Sequence, residues 1–519
     1  MDKPCGFAAP ENEAKNMKHR MIYLIVPLAV LLVFSGCAFR PVISERPSTP
    51  LERLQSEFNR EFNDPAFSNS YWGVAVQSLE TGAYFYLRNT DKSFRPASNM
   101  KLFTTGTALV RLSPDFTYRT KLYRTGRIES GTLKGDLVIR GSGDPSITGR
   151  FHDGNILAVF QNWADSLKQK DIRKITGRVI GDDHYFTHEI MGEGWAWDYQ
   201  SDWYAAQISA LSFNDNCVNI IFTPGKSVGD TVSFRLEPPT KYVRVINKVV
   251  TAPPHQGREI VYQRERGKNV VVITGAMSID APEKTDWFSV ENPTRYAATV
   301  FTEVLQSNGI RVEGHPASID SLARYKYDSA DSFCVASYQS PPLREIVKVI
   351  NKVSQNLYAE LLLRTLGKVY VNDGSARGGI KVVKQFLASI GIDPDRFAMF
   401  DGSGLSHLDM VTPKQVITLL RYLYRSPVKE SFWNSLPIAG IDGSLKNRMK
   451  MTAAEGNVRA KTGYISNTRA LSGTVTTKDG EPLVFSLIVN NYLVPTSMAN
   501  TIQDWVCERL ANFSRAQDQ

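Results

Sequence analysis

Lys461-Thr462-Gly463 is the segment that most constrains the fold, because two β-like runs and a helix follow it. The runs are Ala470 to Thr476 and Leu483 to Asn490, with a turn predicted at Lys478-Asp479-Gly480. A final helix is predicted from Ser497 to Leu510. The sequence thus predicts a late antiparallel hairpin packed against a terminal helix, with the Lys-Thr-Gly motif on a strand.

Two further motifs precede this segment. Ser98-Asn99-Met100-Lys101 follows a break at Pro96-Ala97 and is expected to open a helix, which puts Ser98 and Lys101 on one face. Ser354-Gln355-Asn356 lies in a helical region. Each motif also arises by chance, as Ser426 to Lys429 and Ser212 to Asn214 illustrate. Their order and placement favour a joint function.

The residue types suit nucleophilic catalysis. A serine hydroxyl needs a base, and Lys101 can act as one if it is neutral. A buried lysine near a second cation has a lowered pKa, and Lys461 is the expected cation. Ser354 is expected to pass protons to the leaving amine, and Asn356 to hold both a lysine and a substrate amide.

The last motif suits a substrate with a terminal carboxylate. Lys461 and Thr462 offer a cation and a hydroxyl donor, and Gly463 would let a substrate backbone lie close to the strand. The backbone N–H groups of Ser98 and Tyr464 are the candidates for an oxyanion site.

The rest of the chain predicts one domain interrupted by another. A hairpin is predicted over Tyr71 to Leu87, and a β-rich module over residues 116–281. Residues 51–115 and 282–519 would form the catalytic domain. Its helices are predicted at Pro293 to Asn308, Leu343 to Leu366, Gly379 to Leu387 and from Thr412-Pro413 to Tyr424.

The N-terminal region reads as an export leader. A basic segment ending at Arg20 precedes an apolar run from Met21 to Phe34, which is short for a membrane span. Phe34-Ser35-Gly36-Cys37 is similar to a bacterial lipoprotein cleavage box, so residues 1–37 are expected to be the leader and Cys37 the lipidated residue. Phe34 departs from the Leu or Val usual there, which leaves ordinary signal cleavage or a retained anchor as alternatives. Met17 is an alternative start, and residues 38–50 resemble a tether.

Composition and charge narrow the function classes. The chain has 519 residues, with 42% hydrophobic and 22% charged, as expected for a globular protein with a substantial core. Its net charge of +9 is not concentrated in runs and no nucleic-acid module is recognisable. No CxxC spacing that would indicate a zinc site occurs among Cys217, Cys334 and Cys507. An exported protein could form one disulfide among these three cysteines.

Two histidine patterns were considered and set aside. His184 and His188, beside Asp182 and Asp183, have a spacing that could bind zinc on a helix, but no HExxH glutamate is present. His407 could suggest a Ser-His-Asp triad, but the chain has no GxSxG nucleophile elbow, so His407 is expected at the surface or at the rim of a site. The sequence therefore predicts no metal.

Several motifs together resemble one family. Besides the three catalytic motifs, these are Gly141 to Ser146, Phe213 to Cys217, Asp401 to Ser406 and Asp442 to Leu445. They resemble the S13 peptidases, the D-alanyl-D-alanine carboxypeptidase/endopeptidases of the penicillin-binding protein 4 type. The similarity runs from about Leu51 to Asn512.

The resemblance implies a fold and an activity. The fold would be an α/β (α+β) serine β-lactamase/transpeptidase-like domain interrupted by a β-rich inserted module. Ser98 would form an acyl-enzyme with peptidoglycan stem peptides, β-lactams would acylate the same serine, and no cofactor would be needed. The protein would be exported to the periplasm and anchored to the membrane through lipid at Cys37.

Some points stay open. Asp198 loosely matches a family segment near the substrate, where it could bind the ammonium group of a diamino acid; it could equally be a surface residue beside Trp195 and Trp197. Tyr464 departs from the Ser or Thr usual after Lys-Thr-Gly.

Two alternative functions are a β-lactamase and a non-catalytic wall-binding lipoprotein. The β-lactamase lacks support because no Glu-x-x-Leu-Asn segment is present. The balance of carboxypeptidase and endopeptidase action, the diamino acid, the membrane leaflet, the disulfide pairing and the oligomeric state are not predicted.

Overall fold

The structure, a computed structural model, describes residues 49–516. The predicted leader, Met17, Cys37 and nearly all of the tether lie outside the described residues. No helix within residues 49–516 combines the length and apolar character that crossing a membrane requires.

The described residues contain ten α-helices and twenty strands. The helices are α1 (Pro50–Phe62), α2 (Met100–Leu112), α3 (Ala158–Gln169), α4 (Pro293–Ser307), α5 (Leu343–Lys352), α6 (Asn356–Val371), α7 (Ala376–Ser389), α8 (Pro413–Tyr424), α9 (Lys429–Trp433) and α10 (Thr496–Ala511). The strands are β1 (Tyr71–Ser78), β2 (Tyr84–Arg88), β3 (Arg119–Arg124), β4 (Arg127–Glu129), β5 (Thr132–Lys134), β6 (Leu137–Arg140), β7 (Lys174–Ile175), β8 (Val179–Asp182), β9 (Cys217–Thr223), β10 (Ser233–Glu237), β11 (Arg244–Ala252), β12 (Arg258–Arg264), β13 (Val270–Ser278), β14 (Lys284–Ser289), β15 (Arg311–Val312), β16 (Ala317–Ser318), β17 (Cys334–Gln339), β18 (Arg459–Ile465), β19 (Thr468–Thr476) and β20 (Pro482–Asn490).

One antiparallel sheet joins the two ends of the described chain. Its order is β18-β19-β20-β1-β2, so the early hairpin pairs with the late one through β1 and β20, with Val74 opposite Leu487. Successive side chains point to opposite faces. Val74 therefore packs with α1 and α10, whereas Ala75 packs with α2 and α8. Both predicted hairpins and the terminal helix are confirmed.

The region predicted as an insert is rich in short strands. It contributes to four small sheets, ordered β16-β8-β6-β3-β17, β15-β7-β5-β4, β10-β9-β14 and β11-β13-β12. Their apolar faces share a second core with α3 and α4, and this core continues past residue 281 as far as Val335. The boundaries at 116 and 281 stay predictions. The mixture of helices and sheets agrees with the predicted fold class.

The helical region from Leu343 to Leu366 is two helices rather than one. α5 ends at Lys352 and α6 begins at Asn356, with Ser354 between them at φ 64°. A positive φ interrupts a right-handed helix. The break puts the Ser354-Gln355-Asn356 motif at the start of α6.

The three cysteines in the described region, Cys217, Cys334 and Cys507, are free thiols. The structure therefore does not contain the disulfide that an exported compartment would permit among them.

Candidate active site

The turn before α2 presents Ser98. It spans Ala97–Asn99, and Ala97 has φ 48°. Two glycines allow close approach from either side. A Cβ on Gly404 would lie 1.8 Å from the Ala97 carbonyl oxygen, and one on Gly463 would lie 2.7 Å from that of Pro96. Both distances are too short for non-bonded atoms, so the serine turn is held between a loop and β18 where only glycine fits.

Lys101 is fully buried one turn after Ser98. Its Nζ lies 2.6 Å from Asn356 Oδ1, 2.6 Å from the Ser403 carbonyl oxygen and 3.0 Å from Ser98 Oγ. The amide and carbonyl oxygens can only accept hydrogen bonds. A neutral amine has two N–H groups for these acceptors, which leaves its lone pair for the Ser98 hydroxyl. The geometry thus suits a lysine that takes the proton of Ser98.

The pKa of Lys101 agrees with this arrangement. Burial lowers it to about 7, against the opposing effect of three carboxylates, of which Asp401 is the foremost. Of the two causes expected for Lys101, burial is present, whereas the charge of Lys461 is not among its causes. The repulsion between the two lysines instead affects the pKa of Lys461. There, burial first and the charge of Lys101 second hold the pKa well below its usual range.

The loop that follows Asp401 supplies the Ser403 carbonyl. The Asp401 carboxylate accepts hydrogen bonds from the backbone N–H of Gly404 at 2.6 Å and of Ser406 at 2.8 Å, and from Trp195 Nε1 at 2.8 Å. These contacts fix the loop and hence the oxygen against Lys101. The sequence analysis quoted this stretch as a family signature but gave it no role.

The start of α6 connects both lysines. Asn356 Oδ1 accepts from Lys101, and its Nδ2 donates to the Tyr204 carbonyl oxygen at 2.8 Å. Ser354 Oγ lies 2.9 Å from Lys461 Nζ. Ser354 is therefore within reach of the amine of the third motif, as a proton shuttle requires.

The Lys-Thr-Gly motif lies on β18, an edge strand of the main sheet. The N–H of Ala460 donates to Pro437 on the side away from β19. Since N–H directions alternate along a strand, those of Thr462 and Tyr464 point to the same open side. The Tyr464 N–H therefore points to the open edge of β18. Thr462 Oγ1 lies 2.6 Å from Ser444 Oγ, a hydroxyl the sequence analysis did not assign.

The Tyr464 side chain does not fill the site. It is 56% exposed, and the Arg469 guanidinium lies 5.0 Å from its ring centroid. Arg469 adds positive charge beside Lys461 and contributes to its lowered pKa. No sequence motif marked Arg469, because its position depends on the pairing of β18 with β19.

Asp198 and His407 are the remaining candidates. Asp198 is exposed on a short turn, Trp197–Ser201. Trp197 is exposed with Arg266 over its ring, so only Trp195 of the two tryptophans packs as expected. His407 is half-buried.

The two histidines with zinc-like spacing lie beside one carboxylate. His184 Nε2 lies 2.8 Å from Asp320, and His188 Nδ1 lies 3.4 Å from the same carboxylate. Asp183, His184 and Asp320 are the one group within residues 49–516 with ligand atoms close enough to hold a metal, all within 4.8 Å of one another.

Comparison with known proteins gives a consistent result. The sequence model described as the D-Ala-D-Ala carboxypeptidase 3 (S13) family matches residues 54–513. A D-alanyl-D-alanine carboxypeptidase of Actinomadura sp. (strain R39) is 31% identical over 491 residues, 91% of this chain and 87% of that protein. The D-alanyl-D-alanine carboxypeptidase DacB of Haemophilus influenzae is 28% identical, over 83% of this chain and 90% of the relative.

Solved structures share the fold. The crystal structure of penicillin binding protein 4 (dacB) from Haemophilus influenzae superposes with a TM-score of 0.75 at 24% identity, over 88% of this chain and 99% of that one. A complex of that protein with a β-lactam has a TM-score of 0.69 at 23% identity over the same shares. The predicted fold class is confirmed.

Proposed function

The chain belongs to the S13 family of D-Ala-D-Ala carboxypeptidases, and we propose that it is a serine-type enzyme of this activity with Ser98 as its nucleophile. The observation that carries the proposal is the set of three oxygens around Lys101 Nζ. Two of them accept its N–H groups, and the third is the hydroxyl to be deprotonated. A lysine held in this way is a base for one particular serine.

In the proposed acylation, Ser98 Oγ bonds to the carbonyl carbon of the penultimate D-alanine while Lys101 takes the hydroxyl proton. The N–H groups of Ser98 and Tyr464 stabilise the oxyanion. The C–N bond then breaks as the proton held by Lys101 passes through Ser354 to the leaving amine, which returns Lys101 to its neutral form. Ser354 Oγ also lies 2.9 Å from Lys461 Nζ, a contact that orients the hydroxyl. Water subsequently hydrolyses the acyl-enzyme, with Lys101 again as base.

The terminal carboxylate of the substrate is proposed to bind at Thr462. The open edge of β18, the paired hydroxyls of Thr462 and Ser444, and the positive charge of Arg469 beside the Lys461 amine support this site. A bound carboxylate would favour the ammonium form of Lys461, because it supplies an opposite charge near a buried amine. Peptidoglycan stem peptides ending in D-alanine fit these requirements. The family membership and the relatives' D-alanyl-D-alanine carboxypeptidase activity support this substrate class.

The same serine is proposed to react with β-lactams, as the β-lactam complex of the structural relative suggests. A fluorescent penicillin tests this. The wild-type protein should label stably, and Ser98→Ala should not label. Ser426→Ala is the matched control, because Ser426 belongs to the other Ser-x-x-Lys sequence and its hydroxyl donates to the Leu423 carbonyl. Labelling of Ser98→Ala would contradict the proposal.

The test also separates the alternatives. Rapid release of the label would indicate a β-lactamase, and no labelling of folded wild-type protein would indicate a non-catalytic wall-binding protein. Digestion of purified sacculi would divide the remaining activities: free D-alanine reports carboxypeptidase action, and cleaved cross-links report endopeptidase action.

Asp198 is proposed to bind the side-chain ammonium of a diamino acid in the stem peptide. Its charge affects the nearby Asp202 and Tyr204, and the Tyr204 carbonyl contacts Asn356. Asp198→Asn should raise KM for a peptide with a free ammonium and leave that of its N-acetylated analogue unchanged. Equal effects on both peptides would assign Asp198 to the surface instead.

The protein is proposed to be exported to the periplasm and anchored through lipid at Cys37. The basic and apolar leader followed by Ser35-Gly36-Cys37 supports this location. Cys37→Ser should move the protein from the membrane fraction to the soluble fraction and abolish incorporation of labelled fatty acid. Fatty-acid labelling that persists in the variant would refute the anchor.

A further inference from the structure

A cleft adjoins the Ser354-Gln355-Asn356 turn, because Gln355 is part of its lining. Its volume is about 350 Å³, which is within the range of small-ligand sites. The residues that define it include Arg150, Trp203, Asn219, Glu237, Trp287 and Gln355. Gln355 is the middle residue of the catalytic motif, and Trp203 precedes Tyr204, whose carbonyl accepts from Asn356.

One wall of the cleft is a row across the sheet β10-β9-β14. Asn219 on the central strand is directly opposite Glu237 on one side and Trp287 on the other. Side chains at opposed positions share a face of the sheet. Trp287 is 46% exposed and Trp203 is 38% exposed. The cleft therefore offers two partly exposed tryptophan rings, of which the Trp203 ring also packs edge-on against Tyr204.

Its polar groups offer both a donor and an acceptor. Gln355 is 1% exposed, and its Oε1 has no hydrogen-bond partner among the described residues. Its Nε2 donates to Asp215 at 3.0 Å, and Asp215 pairs with Arg150 at 2.9 Å. On Asn219, Oδ1 accepts from Asn214, and within the described structure Nδ2 has no partner. A buried amide oxygen without a partner is costly unless a ligand or water donates to it.

The charges of the cleft select against anions. Arg150 and Asp215 neutralise each other, which leaves Glu237 as the other charged residue of the lining, with Arg235 of the same strand near enough to interact with it. A ligand must therefore be uncharged or cationic, carry hydroxyl or amide groups and present an apolar face to a tryptophan ring. A pyranose with an acetamido group meets each requirement, whereas the carboxylates of a stem peptide do not.

We propose that this cleft binds an N-acetylated hexosamine of the glycan strand that carries the stem peptide. The inference rests on the proposed function, because it assigns the glycan of the same substrate to a neighbouring site. Trp287 stacks on the sugar ring, while Asn219 and Gln355 bond its acetamido or hydroxyl groups. Binding there holds the polymer beside the peptide site without contacting the reacting atoms.

Calorimetry with N,N′,N″-triacetylchitotriose tests the cleft while the peptide site is blocked by penicillin acylation. Wild-type protein should bind the trisaccharide, and Trp287→Ala should weaken binding roughly five- to tenfold. Trp197→Ala is the control, since Trp197 is also an exposed tryptophan of the β-rich region but does not line the cleft. Absence of wild-type binding, equal affinities of wild type and Trp287→Ala, or displacement of the trisaccharide by a sugar-free stem peptide would overturn the proposal.

Kinetics separate this inference from the proposed function. Trp287→Ala and Asn219→Ala should raise KM for a disaccharide-linked pentapeptide several-fold and leave both kcat and the cleavage of the sugar-free pentapeptide unchanged. If Ser98 does not label with penicillin, the proposed function has failed. If Ser98 labels normally and the sugar-free pentapeptide is cleaved normally, but the variants and the wild type have the same KM for the disaccharide-linked pentapeptide, the glycan site alone has failed.

Discussion

The proposed role of Lys101 predicts how acylation depends on pH. With a pKa of about 7, the neutral amine makes up about one tenth of the population at pH 6 and about nine tenths at pH 8. Only the neutral amine can accept the Ser98 proton, so the rate must rise with pH. We expect the second-order acylation rate constant to increase about tenfold from pH 6 to pH 8 and then to level off.

Stopped-flow measurement with a fluorescent penicillin gives this rate constant directly. Lys101→Met is the matched variant, because methionine has a similar length but no basic nitrogen. It should acylate at least about a hundredfold more slowly at pH 8 and lose the rise. A wild-type rate that is the same at pH 6 and pH 8 would refute the reasoning, as would a Lys101→Met variant that keeps the same rise.

Three further predictions follow from the contacts of the site. Asn356→Ala should lower kcat by about a hundredfold while circular dichroism stays unchanged, because Lys101 loses one of the two acceptors that orient its lone pair; a kcat within a factor of two of the wild type would contradict this. Gly404→Ala should lower the free energy of unfolding by about 2–4 kcal/mol in urea, since its Cβ would lie 1.8 Å from the Ala97 carbonyl oxygen at φ 79°; unchanged stability would mean that the turn moves freely. Finally, the folded pKa of Lys101 lies below its unfolded value, so the unfolded chain binds more protons between about pH 7 and pH 10. Between pH 7 and pH 10, the free energy of unfolding of the wild type should therefore rise relative to that of Lys101→Met, by up to about 1.4 kcal/mol per pH unit. Urea titrations measure both free energies, and a difference that does not change with pH would exclude this contribution.

Local sequence patterns predicted the elements that carry the site. The hairpin before Ser98, the helix after it and the late hairpin after Lys461 follow from alternation, turn residues and helical spacing, and each is present. The helix α3 was also within reach of sequence, because Val159, Trp163 and Leu167 have amphipathic spacing. The β-like runs on both sides of this segment dominate the local pattern and obscure the helix.

The break at Ser354 and the role of the Ser403 carbonyl could not be predicted from local sequence patterns, because both depend on contacts between residues that are distant in the sequence. Both α5 and α6 bury apolar side chains, so the hydrophobic pattern continues across the break at Ser354. A serine at φ 64° carries no sequence signal of the kind that glycine gives. Likewise, Ser403 contributes only its carbonyl oxygen to Lys101, which any residue could supply. Its position is set by the hydrogen bonds of Asp401, and these form only in the folded chain.

Lys101 is the point at which the separate parts of the site depend on one another. Its backbone belongs to α2, one acceptor comes from α6 and the other from the loop fixed by Asp401. A displacement of either acceptor by a few tenths of an ångström would redirect the lone pair away from Ser98 and leave the hydrophobic cores intact. Burial acts in the same direction, because it favours the neutral amine and removes water that could donate to it. Burial and the two fixed acceptors together account for the lowered pKa and the orientation of the Lys101 amine. We therefore expect displacement of an acceptor to impair acylation before it impairs folding.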